Sequence, residues 1–464
     1  MKPITRSLAE FIVGSPASAQ PPELRAEANR IIIDTFAAII SGAGGEAAPA
    51  LLDYARMSGA AGKVPVLGTS LMTSPEIAAM INGAFGHALE FDDVFSMMPG
   101  HPAAVILAAL IGEIARRPVS GAELTDAFIV GYEVAARMGI AISLEHHRVR
   151  GFHATGTLGG MGAAAALARL RRSGVEGAAQ TLAIYSSFAS GLLGQTGSEM
   201  KAFHSGWAAR NATAAADLVA SGLRGAEDIL EAPRGFFNAY GTANSRIERL
   251  TENIADPWAM SSPGVSLKKY PCCFAAHRGI EATLILRERH GLRLADVAGI
   301  ECRLPPKGLV NMVYSRPRTG LQAKFSMEYC FLAAMLDGEI TLASFADAAV
   351  LREVAQSNLR LVTCHEDPAC EEGIGEASGE ISGARGYTQI AITTRDGARL
   401  EERVAKAPGT PARPLSRAEL GAKFEICARY AGLTEAATRA AGIELFACNE
   451  SKDLSGLLRS LRRA

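Results

Sequence analysis

Residues 101–116 read HPAAVILAALIGEIAR, one histidine and one proline followed by a long apolar helical run. Proline is favoured at the first position of a helix, so the stretch predicts a helix over Pro102–Arg116 with His101 at or beside its N-cap. Serine, threonine, aspartate or asparagine would cap such a helix better, so a histidine at this position favours a functional role. The stretch therefore predicts an apolar helix whose start carries an imidazole.

Similar helical patterns fill the chain from Leu8 to about Ala220. Apolar residues recur at spacings of three and four, glycine or proline marks the ends of the runs, and strand signals are nearly missing. This part of the chain is therefore predicted to be helical throughout. Its other predicted helices are Pro22–Ile40, Ser74–Leu89, Ser120–Ile142, Thr157–Arg172 and Gly177–Leu192.

The composition changes after a loop-like stretch at residues 256–264. Residues 299–304 alternate between apolar and polar side chains, as a half-buried strand does. Residues 387–394 and 399–404 flank Arg395-Asp396-Gly397 and are typical of a β-hairpin. Helical periodicity returns towards the C-terminus, so the strand signals are confined to an interior part of the chain.

The organisation of domains follows from length and from these patterns. A chain of 464 residues is longer than one hydrophobic core usually organises, so we expect two domains. The predicted fold class is mainly α. A large all-helical domain is built from both termini, residues 1–264 and 408–464, and a smaller α+β lid domain, residues 265–407, is inserted into it.

Composition and charge exclude several classes of protein. Hydrophobic residues make up 48% of the chain and charged residues 20%, which is typical of a globular enzyme and not of a disordered chain. The formal net charge of -1 argues against nucleic acid or an anionic membrane as partner, because both require a broad basic surface. A small anionic ligand needs only a local group of cations.

Targeting and cysteine patterns predict a cytoplasmic protein. Residues 1–14 contain Lys2, Arg6 and Glu10 and lack the apolar stretch of a signal peptide. The most apolar run of the chain is shorter than the roughly 20 residues that span a bilayer. The eight cysteines show no C-x-x-C pair and no regular spacing, so we expect reduced thiols and no iron–sulfur or zinc ligation.

Short polar segments interrupt the apolar helical runs. Ionisable groups are costly to bury unless they are paired or used, so these segments are candidates for one shared polar site. Each contains histidine, aspartate, lysine or tyrosine. The segments are residues 86–93, 100–102, 151–157, 198–204, 268–273 and 324–329.

Three residues in these segments suit acid–base chemistry. His101 and His153 can each donate or accept a proton near neutral pH, and both stand at predicted helix starts. Asp93 can orient one of the two imidazoles or stabilise its positive charge, as a carboxylate partner does in hydrolase triads. The sequence leaves open which histidine is the acid and which is the base.

A second group of residues can bind a carboxylate substrate. Lys201 and His204 are three residues apart and share a helix face, and Lys268 precedes a Tyr-Pro turn. A helix start near Thr155 offers main-chain N–H groups to an anion. Such cations and N–H groups can stabilise negative charge that builds on a substrate carboxylate without a metal.

Each candidate also has an ordinary structural interpretation. The histidines can be loop residues whose hydrogen bonds serve only the structure, the lysines can be solvated, and the glycines of residues 151–160 can serve only close helix packing. One metal-binding alternative stays open, because His87, Glu90 and Asp93 recur at a spacing of three residues. We predict that the protein binds no metal and no other cofactor.

The ordered segments resemble the MmgE/PrpD superfamily of 2-methylcitrate dehydratases, cis-aconitate decarboxylases and iminodisuccinate epimerases. The resemblance runs nearly the full length of the chain, and it is most specific at residues 86–102, 151–157, 200–204 and 268–277. It implies a cofactor-free site in the cleft between a helical domain and a smaller α+β lid, usually in a dimer. The catalytic positions that the resemblance implies are Asp93, His101, His153, Lys201, Lys268 and, with a looser match, Tyr329.

We therefore predict a cofactor-independent lyase that acts on a small hydroxylated di- or tricarboxylate, with a 2-methylcitrate-type dehydratase as the leading candidate. A cofactor-independent epimerase or isomerase, or a cis-aconitate-type decarboxylase, is the alternative, since similar motifs serve all these outcomes. A further alternative is a non-catalytic protein that binds an anionic metabolite. The expected partners are the small substrate and, from the resemblance, a second copy of the chain in a homodimer.

Overall fold

The computed structural model describes residues 3–16, 19–371 and 386–463. It is 58% helical, which confirms the mainly α fold class. Contacts divide the chain into two compact units. The first contains Met1–Gln195, Glu199–Val265 and Ser416–Ala464, and the second contains Thr196–Ser198 and Ser266–Leu415.

Helices make up most of the first unit. Its short strands β1 (Val64–Pro65) and β2 (Met72–Thr73) pair antiparallel, and a further short strand, β3, is Asp93–Val94. Its helices are α1 Ile4–Gly14, α2 Pro22–Gly42, α3 Ala48–Met57, α4 Pro75–Ala88, α5 Pro102–Arg116, α6 Gly121–Ile142, α7 Glu145–Arg148, α8 Ala154–Thr157, α9 Gly159–Leu170, α10 Gly174–Ser186, α11 Glu199–Ala220, α12 Phe236–Tyr240, α18 Arg417–Tyr430, α19 Glu435–Phe446 and α20 Ser455–Ser460.

The helix predicted from the opening stretch is the core of this unit. Helix α5 has the predicted bounds, and every residue from Pro102 to Ile114 is buried. Serine side chains cap the two predicted helices on either side of it: Ser74 accepts a hydrogen bond from the N–H of Ile77, and Ser120 forms a capping box with Glu123. Local capping chemistry therefore defines where the helices that surround α5 begin.

The predicted helix Thr157–Arg172 is one helix, α9, with bounds two residues inside the prediction at each end. A single turn, α8, is followed by α9, which starts at Gly159. The glycine at the start of α9 serves close packing, because a Cβ at Gly160 would lie 1.8 Å from the hydroxyl oxygen of Tyr185. That hydroxyl donates a hydrogen bond to the carbonyl of Gly156. The structural interpretation of this glycine is thus supported.

In the described residues of the second unit, a four-stranded sheet packs with helices. The strand order is β6-β5-β7-β8, with β5 parallel to β6 and antiparallel to β7, and β7 antiparallel to β8. Its apolar core lies between the sheet and the helices α13 and α15. Its elements are β4 Ser266–Leu267, α13 His277–His290, β5 Val297–Leu304, α14 Gly320–Ala323, α15 Met327–Asp337, α16 Asp347–Val350, α17 Glu353–Asn358, β6 Val362–Glu366, β7 Thr388–Thr394 and β8 Arg399–Val404.

The compact units have bounds of their own, and the division into two domains at the predicted residues stays a prediction. The second unit extends to Leu415, eight residues beyond the predicted end of the α+β domain at residue 407. That this unit acts as a lid stays a prediction. All eight cysteines lie in the described part of the chain, and no disulfide joins them. Among the described residues, no helix is long and apolar enough to cross a membrane.

Two glycines allow α4 and α11 to cross closely. A Cβ on Gly83 would lie 2.8 Å from the Cα of Gly206, and a Cβ on Gly206 would lie 1.9 Å from the carbonyl oxygen of Met80. Real Cβ atoms do not approach main-chain atoms so closely, so only glycine fits at this crossing. Because α4 ends beside His87 and α11 begins beside Lys201, the crossing brings these two side chains together.

We predict that Gly206→Ala destabilises the protein by about 2 kcal/mol or more, because the added methyl group must separate two packed helices. Thermal or urea unfolding measures the effect. Gly421→Ala on α18 is a matched control, since its Cβ would meet only a side-chain atom of Phe446 at 3.9 Å. Equal stability of the two variants would contradict the role of the α4–α11 crossing.

Candidate active site

The first unit brings together six of the eight residues predicted from the sequence. They come from β3, from the starts of α5 and α8, and from the first turns of α11. All are buried except His101, which is partly exposed. The six are Asp93, His101, His153, Thr155, Lys201 and His204.

The centre of this cluster is the side chain of Lys201. Its ammonium donates hydrogen bonds to Glu90 and, at 3.0 Å, to Nε2 of His87. Because an ammonium has no acceptor, His87 carries its proton on Nδ1 and donates it to Oδ2 of Asp92 at 2.7 Å. One hydrogen-bonded chain therefore links Glu90, Lys201, His87 and Asp92.

Glu90 has a strained main chain. Its φ of 53° lies in the left-handed region, which non-glycine residues rarely adopt. Such a conformation costs on the order of 1–3 kcal/mol and persists where surrounding contacts hold it. The ion pair of Glu90 with Lys201 is one such contact. Strained residues concentrate at functional sites, which supports a functional role for this loop.

His101 is the N-cap residue of α5, as the sequence predicts. Its Nδ1 donates a hydrogen bond to the main-chain carbonyl of Asp93 and lies 3.6 Å from Oδ1 of Asp92. Since Nδ1 is occupied in this way, Nε2 is the atom that can exchange a proton with a ligand. The side chain of His101 is 14% exposed while that of His87 is fully buried, so His101 is better placed to meet a ligand.

The carboxyl group of Asp93 does not make the contact predicted for it. It accepts hydrogen bonds from the hydroxyl of Tyr132 at 2.9 Å and from the N–H of Ala103 at 3.3 Å. Burial, together with the neighbouring charge of Asp92, raises the pKa of Asp93 well above its usual range. The carboxylate that contacts an imidazole is Asp92, and Asp93 orients His101 through its main-chain carbonyl.

His153 and His204 form a pair. Their Nδ1 atoms are 3.1 Å apart, and the ring of His153 lies 5.6 Å from that of His87. Burial, with Lys201 and His87 nearby, lowers the pKa of His153 well below its usual value. Burial also lowers the pKa of His204 to about 4. Both rings are therefore neutral at pH 7, so one Nδ1 donates and the other accepts.

Thr155 connects two of the helix starts. Its hydroxyl oxygen accepts a hydrogen bond from the main-chain N–H of His101 at 3.2 Å. Thr155 lies inside the single turn of α8, and His153 is the N-cap residue of that turn. The described contacts therefore give Thr155 a place in the scaffold beside His101, and its binding of substrate stays a prediction.

The two remaining predicted residues belong to the second unit. Lys268 follows β4 and is 1% exposed. Tyr329 is buried on α15, and its hydroxyl donates a hydrogen bond to the carbonyl of Ser344 at 2.5 Å. Burial raises the pKa of Tyr329 to about 12. These contacts are typical of a core tyrosine, and catalytic roles for Lys268 and Tyr329 stay predictions.

Four side chains that the structure places in the cluster are not among the predicted catalytic or substrate-binding residues. Two of them, His87 and Glu90, had been considered only as metal ligands, although ionisable residues inside an apolar segment were a usable signal. Asp92 could not be separated from its neighbour by sequence alone. The fourth, Tyr132, lies within α6 and stands out by no local pattern.

Three side chains could hold a metal ion. The potential ligand atoms of His87, Asp92 and His101 lie within 4.8 Å of one another, which differs from the His87, Glu90 and Asp93 set considered above. His87 already donates to Asp92 and accepts from Lys201. An ion at this position would therefore compete with an internal ammonium for the same ring.

The arrangement combines a buried cation with imidazoles whose proton positions are set by their neighbours. Lys201 can pair with a carboxylate of a ligand, and such charge-assisted contacts are strong where water is excluded. His101 can exchange a proton at Nε2, because the main chain holds the other side of its ring. The cluster can therefore bind a small carboxylate and transfer a proton to or from it.

We predict that acid destabilises the protein through its buried histidines. Burial lowers the pKa values of His146, His147 and His204 to about 4, and that of His153 also falls. An unfolded histidine binds a proton near pH 6.5, so below that pH the unfolded state binds more protons and the free energy of unfolding decreases. Each group contributes up to about 1.4 kcal/mol per pH unit, and the raised pKa values of Asp93 and Asp34, caused by burial, act in the opposite direction.

Urea unfolding between pH 8 and pH 5 measures this dependence. His147→Gln should flatten the decrease below pH 6.5, whereas His290→Gln, at an exposed position, should leave the slope unchanged. Stability that stays constant or rises as the pH falls through this range would contradict the neutral state of these rings.

Comparison with known proteins identifies the family. Residues 6–247 match the MmgE/PrpD N-terminal domain, and residues 270–446 match the MmgE/PrpD C-terminal domain. The cis-aconitate decarboxylase of Mus musculus is 28% identical over 436 residues, which are 91% of this chain and 86% of that protein. The cis-aconitate decarboxylase of Homo sapiens is 27% identical over 433 residues, which are 91% of this chain and 87% of that protein. The cis-aconitate decarboxylase of Aspergillus terreus is 26% identical over 377 residues, which are 75% of this chain and 74% of that protein. Because the two domain matches cover most of its length, the chain belongs to the MmgE/PrpD family.

Proposed function

We propose that the chain is a cofactor-independent carboxy-lyase that decarboxylates cis-aconitate or a closely related unsaturated tricarboxylate. The observation that carries this proposal is the similarity, over 91% of the chain, to two cis-aconitate decarboxylases. The similarity favours the decarboxylase alternative over the 2-methylcitrate-type dehydratase that led the interpretation of the sequence. The family itself includes both kinds of lyase, so the geometry of the site must support the choice.

The proposed reaction exchanges a carboxylate for a proton. The electron pair of the bond to the departing carboxylate forms a new carbon–carbon double bond and releases carbon dioxide. The electrons of the original double bond move to the carbon beside a remaining carboxylate, and that carbon takes up one proton. Negative charge builds on the remaining carboxylate during this step, so a fixed cation beside it lowers the barrier.

The residues of the cluster fit these requirements. Lys201 pairs with the substrate carboxylate on which the charge builds, and Lys268 is proposed as a second cation. His101 delivers the proton from Nε2, while Asp92 stabilises the ring when that proton is bound. His153 stays neutral beside Lys201 and can orient a carboxylate by hydrogen bonding. No step of this proposal requires a metal or an organic cofactor.

One observation favours dehydration as a second candidate. Elimination of water needs a base for the proton and an acid for the hydroxyl, and the rings of His101 and His153 lie 4.5 and 5.6 Å from the ring of His87. Both reactions build negative charge on a carboxylate of the substrate. They differ in whether carbon dioxide or water leaves.

The first experiment incubates the purified full-length protein in deuterated water with cis-aconitate, 2-methylcitrate or citrate. We expect cis-aconitate to yield equal amounts of carbon dioxide and a dicarboxylate that carries one deuterium per molecule. Mass spectrometry of the headspace and NMR spectroscopy of the product measure both quantities. An unsaturated product from 2-methylcitrate without carbon dioxide would establish the dehydratase instead, and binding without turnover of any compound would support a non-catalytic protein.

We predict that Lys201→Met lowers kcat/KM by about 10- to 150-fold, because the loss of one buried charge-assisted contact costs about 1.5–3 kcal/mol. Steady-state kinetics on the substrate found above measures the change. Lys63→Met, which removes an exposed lysine of the same unit, is the control and should leave kcat/KM unchanged. Similar kinetics of the two variants would remove Lys201 from the proposed mechanism.

A further inference from the structure

A buried ion pair lies beneath the loop that carries Glu90 and Asp92. Lys423 of α18 is 5% exposed, and its ammonium is 2.6 Å from Oδ1 of Asp34 on α2. The same ammonium donates a hydrogen bond to the main-chain carbonyl of Phe91 at 2.6 Å. One cation therefore joins the C-terminal part of the first unit, helix α2 and the loop.

Phe91 is held in two ways by this ammonium. Besides the hydrogen bond to its carbonyl, its ring lies 4.0 Å from the nitrogen, close enough for a cation–π contact. The residues on either side of it are Glu90, which pairs with Lys201, and Asp92, which accepts the proton of His87. Fixing the main chain at Phe91 thus fixes both ends of the hydrogen-bonded chain that surrounds Lys201.

We propose that Lys423 is a positioning residue for the candidate active site: it holds the carbonyl of Phe91 so that Glu90 and Asp92 stay against Lys201 and His87. This inference rests on the proposed function. Lys423 acts on the site through the loop, by its contacts with the carbonyl and the ring of Phe91. The left-handed φ of Glu90 explains why the loop needs a positioning residue, because a strained loop relaxes unless the residues beside it are held in place.

The carbonyl contact separates this role from a purely structural one. A buried ion pair adds little net stability compared with well-packed apolar residues, so Asp34 and Lys423 alone would not explain why an ammonium is placed here. The hydrogen bond to Phe91 O and the stacking on its ring direct the cation at the loop. A double substitution that removes both charges, and with them the contact to the loop, should therefore change the site and leave the fold intact.

The test compares three variants of the full-length protein. Lys423→Met removes the donor, Lys423→Arg keeps a donor and a positive charge, and Asp34→Asn combined with Lys423→Met removes both charges so that no buried carboxylate is left unpaired. Arg429→Met, at an exposed position of the same helix, is the control. We expect a loss of about 10- to 100-fold in kcat/KM for Lys423→Met and for the double variant, because small displacements of reacting groups cost this much. We expect Lys423→Arg to recover part of the loss and the control to match the unaltered protein.

A second readout does not depend on turnover. NMR spectroscopy of protein labelled with 15N-histidine follows the Nδ1–H proton of His87, which the hydrogen bond to Asp92 shifts downfield. We expect this resonance in the unaltered protein and in Arg429→Met, its loss in Lys423→Met and the double variant, and its return in Lys423→Arg. If no substrate is turned over, the proposed function fails, but the resonance still tests the positioning role. The two failures can therefore be distinguished.

The proposal is overturned by either of two results. A folded Lys423→Met protein with an unchanged His87 resonance and kcat/KM within twofold of the unaltered protein would show that the loop does not need the ammonium. Failure of both Lys423→Met and the double variant to fold would show that Lys423 serves the fold alone.

Discussion

The structure of the candidate site depends on one interaction, the pairing of the buried ammonium of Lys201 with Glu90 and His87. A buried charge without partners is too costly to keep, so the loop after α4 must present an acceptor on each side of the ammonium. Glu90 does so at the cost of a left-handed main chain. The same cation contributes to the lowered pKa values of His147, His153 and His204, and it thereby helps to set which imidazoles are neutral.

Parts of the chain that are distant in sequence maintain this pairing. The glycine crossing of α4 and α11 sets the distance between His87 and Lys201. Helix α18 supplies Lys423 beneath Phe91. That helix lies within the segment that matches the MmgE/PrpD C-terminal domain, yet it packs in the unit that contains the N-terminal match apart from Thr196–Ser198. The division of the family into two sequence domains therefore differs from the division of the structure into two compact units.

The sequence predicts the elements of this fold better than the contacts of its site. The bounds of α5 and of β8 agree with prediction, because proline, capping residues and apolar periodicity are local signals. The edge strand β6 was missed, since it is short and only its pairing with β5 distinguishes it. The sequence also does not show that Asp92, and not Asp93, places its carboxylate against an imidazole. Adjacent residues point in different directions, and which of them meets His87 and which meets Tyr132 depends on tertiary packing.

The central claim is that the ammonium of Lys201 forms the carboxylate-binding centre of an acid–base site. A crystal structure of the protein with tricarballylate, a saturated tricarboxylate that cannot be decarboxylated through a double bond, tests this claim most directly. The account predicts a carboxylate oxygen of the ligand about 3 Å or less from Nζ of Lys201, with a second polar contact to Nε2 of His101. A ligand bound at full occupancy away from Lys201, with the Glu90, Lys201 and His87 contacts unchanged, would contradict it.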